Sequence, residues 1–187
     1  MTSEDRDQPE MWEAFRGQPN TDKLFRQKAD VVSRLIEMAL DTGLFVAEEL
    51  KKTTSTINTT DSATAVMAET AGVLLHVADR IALSTLPARE RDVFIDSLEQ
   101  AVGEKLQVHG YSCDAFTKLL PPRYAEYAHY QDLTLDIDHP KRAVFWEFTK
   151  KIAFEMGVGK SGVFNVMVSN LLVKQLHRWN LTGLLKG

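Results

Sequence analysis

The stretch Asp61-Ser-Ala-Thr-Ala-Val-Met-Ala-Glu-Thr-Ala-Gly-Val-Leu-Leu-His-Val-Ala-Asp-Arg-Ile-Ala-Leu83 decides the fold. Read as a helix it is apolar almost all round, interrupted by one stripe carrying Glu69, His76 and Arg80, with Asp79 beside it. A residue advances 100° around an α-helix. Glu69 and His76 therefore fall within about 20° of each other, Arg80 about 40° beyond His76, and Asp79 about 60° to the other side. Such a stripe is either the solvated face of a core helix or the lining of a site, and the two readings differ in what must surround it.

The same three-to-four residue beat continues on both sides. From Asp22 to about Lys52, Leu24, Val31, Leu35, Ala39, Val46 and Leu50 mark an amphipathic helix, which Gly43 is expected to bend or interrupt. The hydroxyl-rich run from Thr53 to Ser62 suits a surface loop, with Asp61 or Ser62 capping the helix that follows. Leu86-Pro87 opens a third helix, its inner face formed by Phe94, Leu98, Ala101 and Leu106, its outer face by Asp92, Asp96 and Glu99. Gly110 separates this from a segment, Ser112 to Gln131, which Pro121-Pro122 is expected to break into two short helices. Pro140 starts a fifth helix with Phe145, Phe148, Ile152 and Met156 as its core stripe. Gly157 is a candidate left-handed terminus for it, and Ser161 a candidate cap for the last helix. That last helix, with Phe164, Met167, Leu171 and Leu172, is the most apolar and is expected in the core. No sustained strand-like alternation and no internal repeat occurs. The prediction is an all-α, single-domain bundle of six to seven helices over residues 21–187, preceded by a mobile arm at residues 1–20 that carries Met11, Trp12 and Phe15.

A chain of 187 residues, 44% hydrophobic and 26% charged, has the composition of a globular domain with one full-sized core. Its net charge of -4 offers no basic face, so nucleic acid is not an expected partner. No run approaches the roughly 18 apolar residues of a membrane span, and the acidic start does not read as a signal peptide. The expectation is a cytoplasmic protein without a membrane partner. Cys113 is the only cysteine, which excludes an internal disulfide and a cysteine-rich zinc site. It follows a good N-cap, Ser112, where a thiol is easily activated, but Asp114 opposes that and no histidine adjoins it.

Three constellations carry candidate chemistry. Glu69, His76 and Asp79, with Arg80 as a polar partner, are residue types of metal sites and proton transfer. Glu69 and His76, about 10 Å apart along the axis, are too distant to share one ion, whereas His76 and Asp79 can. Gly72, one turn before His76, leaves room for a ligand or for a neighbouring helix. Glu126-Tyr-Ala-His129 is a Glu-x-x-His; di-iron bundles use two copies, and this chain has one. Together these residues define an alternative metal-binding reading, with Fe or Zn supporting oxidoreductase or hydrolase activity. The tyrosines Tyr111, Tyr124, Tyr127 and Tyr130 crowd the same region, and Tyr124, Tyr127 and Tyr130 are expected, with Trp12 and Phe15, as interface anchors. Gly157-Val-Gly-Lys-Ser161 lacks both the glycine (Phe154 stands there) and the preceding strand of a phosphate-binding loop. Asp136, Asp138 and His139 before Pro140 are residue types that coordinate a cation, although such clusters are more often helix-capping loops, and no Ser-His-acid arrangement is recognisable.

The segment from Gly72 to Leu83, with its Leu-His-x-x-Asp-Arg-x-Ala core, and the following Leu86-Pro-Ala-Arg-Glu-Arg-Asp-Val-Phe94 resemble a helical hairpin in uncharacterised bacterial all-helical proteins. The resemblance covers about a fifth of the chain and implies a helical fold but no activity. The leading expectation is a non-enzymatic protein without a cofactor that binds another protein, as a homodimer, in an accessory or regulatory role.

Overall fold

A computed structural model describes residues 19–53, 59–83, 86–130, 144–155 and 162–180. The all-α expectation holds: these residues form six helices and no strand. They are α1 (Pro19–Thr53), α2 (Thr59–Leu83), α3 (Ala88–Val108), α4 (Cys113–Tyr127), α5 (Val144–Glu155) and α6 (Gly162–Trp179). Trp12, Phe15, Asp136, Asp138, His139, Pro140, Met156 and residues 157–161 lie outside the described residues.

The stretch from Asp61 to Leu83 is the centre of the molecule. In α2 every residue from 66 to 78 is buried, because α1, α3, α4 and α5 all pack around it. A helix surrounded on all sides must be apolar on all sides and slender where neighbours come close, which accounts for Ala68, Ala71, Gly72 and Ala78. The closest approach is made from α1. A Cβ on Gly43 would lie 2.8 Å from the Ala63 carbonyl oxygen, so Gly43 is there to let two backbones meet, and α1 runs through it without interruption. Gly72 is less constrained. A Cβ there would meet only Leu120 Cδ2, at 3.5 Å, an ordinary contact that fills the space the sequence left open for a ligand.

Three further expectations are overturned. Asp61 and Ser62 lie inside α2, which begins at Thr59, so neither caps it. Pro121 and Pro122 do not break the fourth segment: α4 is one helix of 15 residues. The carbonyls deprived of an N–H donor, on Thr117 and Lys118, belong to exposed residues, and both prolines are exposed too, so the missing bonds fall on the side of α4 open to solvent. The outer face of the last helix is not core. Phe164, Val168 and Leu172 are buried, while Val163 (71%), Val166 (42%) and Met167 (38%) are exposed. Other details agree with the reading. Phe94, Leu98 and Leu106 are buried in α3, and Phe145, Phe148 and Ile152 in α5. Ser112 caps α4, its Oγ accepting from Ala115 N–H at 3.4 Å, and Gly110 turns the chain with φ of +89°.

Candidate functional site

The stripe on α2 is not solvated. Glu69 and His76 are 7% and 6% exposed, which overturns the wet-face alternative. What surrounds them is the inner face of α4. Phe116, Leu120, Arg123 and Tyr127 fall within about 60° around that helix, and Phe116, Leu120 and Tyr127 are core residues. Arg123 is the charged member of this stripe. Its Nε donates to Glu69 Oε2 at 2.6 Å and its Nη2 to Glu69 Oε1, a bidentate pair with both side chains largely out of water. Arg123 Nη1 also lies 3.6 Å from Glu126, which accepts from Lys151 Nζ of α5 at 2.9 Å. A chain of alternating charges thus ties α2 to α4 and α4 to α5.

Two turns further along α2, His76 sits beneath two rings of α4, with centroids 6.0 Å from Tyr124 and 5.6 Å from Tyr127. Its Nε2 is buried without a hydrogen-bond partner among the described residues. Burial holds the imidazole below its ordinary value of 6.5; Asp79 opposes this and Arg80 adds to it. Tyr124 donates its hydroxyl to Glu99 Oε1 at 2.8 Å, so Glu99, read as a water-facing residue of α3, is instead turned inward. Burial raises the Glu99 carboxyl, with the Tyr124 hydrogen bond working the other way, and pushes the Tyr124 phenol far above its ordinary range, with the Glu99 charge adding to it. Asp79 pairs with Arg91 of α3 at 3.2 Å.

The candidate metal ligands therefore do not converge. Glu69 is held by Arg123, Glu126 by Lys151 and Arg123, and Asp79 by Arg91, while His129 is exposed beyond the end of α4. Among the described residues no three His, Cys, Asp or Glu side chains gather as an ion would require. The expected tyrosine anchors also turn inward. Tyr127 is fully buried and Tyr124 is committed to Glu99 and His76; Tyr130 is half-buried. Arg123 was missed by sequence reasoning, although a lone cation inside an apolar stripe is a signal that a buried carboxylate must answer it.

The His76 environment has a consequence for stability against pH. An imidazole that titrates lower in the folded than in the unfolded chain leaves the unfolded chain to take up the proton first. The stability is thus fully present above about pH 6.5 and falls as pH drops below that value. Urea unfolding at about pH 7.5 and about pH 5.5 should show the midpoint falling in the wild type and falling less in His76→Phe, which keeps a ring between Tyr124 and Tyr127. Equal falls in the two proteins would remove His76 as the cause.

A second feature lies on the opposite side of α1. A groove of about 380 Å³ runs between α1 and α6, lined by Asp41, Leu44, Phe45 and Glu48 from one helix and Leu171, Lys174, Gln175 and Arg178 from the other. Its floor is fixed by buried Thr42 and Gln175, whose Oγ1 and Oε1 are 3.2 Å apart, and by Gln175 Nε2 donating to Asp41 at 3.4 Å. Leu44 on the α1 rim is 59% exposed. Around α6, Val163, Val166, Met167, Leu171, Lys174 and Arg178 fall within about 140° of one another, so the exposed apolar stripe of that helix leads into the groove. No helix of the described residues is long and apolar enough to cross a membrane. No protein-family model, no curated protein and no solved structure matches this chain.

Proposed function

We propose that this protein is a non-enzymatic, cytoplasmic binding module whose working surface is the outer face of α6 with the α1–α6 groove. The observation that carries the reading is the exposure of Leu44, Val163, Val166 and Met167 beside a groove with charged rims, an apolar centre rimmed by polar groups as in protein interfaces. The polar cluster between α2 and α4 serves as the frame: its charges are satisfied by one another, and they hold α4 and α5 against the central helix.

The test is the pair Val163→Asp and Val166→Asp in one chain. Both side chains are exposed, so the melting temperature should stay within about 2 °C of wild type. Affinity capture from a native lysate should retain a protein on the wild type and lose it on the variant. Identical retained sets would remove the face as a binding surface.

A further inference from the structure

We infer that the partner of this face is a second copy of the chain, docked about a two-fold axis that runs along the α1–α6 groove. The inference rests on the binding role proposed for the face and adds what fills it. Its basis is the distribution of charge on the two rims. Along α1 between residues 35 and 50, bounded by Arg34 on one side and by Lys51 and Lys52 on the other, every charged residue is acidic, and Glu37, Asp41 and Glu48 share with Leu44 a strip about 60° wide. Along α6, from Gly162 to Trp179, there is no acidic residue; the charged groups are Lys174 and Arg178, with His177 beside them.

The acidic and basic rims face each other across the groove without closing it. Among the described residues Glu48 and Lys174 make no ion pair within 4 Å, although the charge of Lys52 on the same helix acts on Glu48, and the Gln175 amide is the one partner of Asp41. Rotation by 180° about an axis along the groove carries the α1 rim of one protomer over the α6 rim of the other. Each copy of Asp41 and Glu48 then meets the partner's basic rim, twice in the dimer, while Leu44, Leu171 and the α6 stripe meet across the axis. A two-fold axis across the groove would instead set acid on acid and base on base. Self-complementarity of this kind is what an isologous interface requires. α6 spans 18 residues, about 27 Å. The contact is therefore at the small end of specific interfaces, around 1,200 Å² in total, and the dissociation constant should be in the micromolar range.

The experiment is sedimentation of the full chain across concentration, for wild type, Lys174→Glu, Glu48→Lys, and an equimolar mixture of the two variants. Wild type should dimerise, and more weakly as salt is raised. Each variant alone sets like charges on both rims and should dimerise at least about tenfold more weakly. The mixture should recover the dimer as one chain of each kind. One of its two rim contacts is then the native pairing of Glu48 with Lys174, and the other is the same pairing with its two charges exchanged; an ion pair within one chain cannot give that result. Wild type that stays monomeric at about 100 μM overturns the second copy as occupant. If a lysate protein is still lost on the Val163→Asp/Val166→Asp chain, the face stands with a different partner. If nothing is lost, the binding role falls as well. A wild-type dimer indifferent to both charge reversals overturns the axis.

Discussion

Replacing Arg123 with alanine is expected to destabilise the protein by about 3–5 kcal/mol, because it strands the Glu69 carboxylate in the core with no counter-charge. The Glu69 side chain is 8% exposed, so water cannot take over from the guanidinium without opening the α2–α4 contact. For a domain of this length the loss corresponds to a fall in melting temperature of roughly 10 °C, readable by circular dichroism. The cost comes from breaking the pair and does not measure what the pair contributes. Glu69→Leu combined with Arg123→Met, which removes both charges and keeps the volume, should therefore recover most of the stability. A loss below about 1 kcal/mol for Arg123→Ala would mean that the pair behaves as a screened surface contact and that something else holds α4 to the central helix.

That pair also marks where sequence reading succeeded and where it stopped. The helices were legible because burial selects apolar residues at a period near 3.6, and Phe94, Leu98, Phe145, Phe148 and Ile152 all lie where that period places them. α2 was legible as a helix but not as the central one, since its Glu69 and His76 looked like a wet stripe. Whether a charge is buried depends on what faces it, and Arg123 is 54 residues away in sequence. It was further concealed by Pro121-Pro122, read as a break although both prolines lie on the solvent side of α4, where losing a backbone donor is cheap. With α4 taken as two fragments, Arg123 had no stripe to belong to. Tyr124 and Tyr127 then read as interface anchors instead of residues turned to the core. The apolar last helix misled in the opposite sense: its composition predicted burial, and Val163, Val166 and Met167 are exposed.

The tyrosines provide the second large effect. Tyr127→Ala is expected to cost about 3–5 kcal/mol, the range for deleting a fully buried aromatic ring, because Tyr127 fills the contact between α4 and His76 and the helices around it cannot collapse onto the space. Tyr127→Phe keeps the ring and should cost less than about 1.5 kcal/mol. Urea denaturation measures both, with the midpoint moving at unchanged slope if the native fold is kept. The pair of variants separates a core residue from an interface anchor. An anchor truncated to alanine weakens association and leaves the isolated chain as stable as before, whereas a core ring does the reverse as long as the fold survives. If Tyr127→Ala unfolds at wild-type urea but loses self-association, the segment from Ser112 to Gln131 presents its aromatic face to a partner. In that case the face of α6 is not the surface on which this protein meets another.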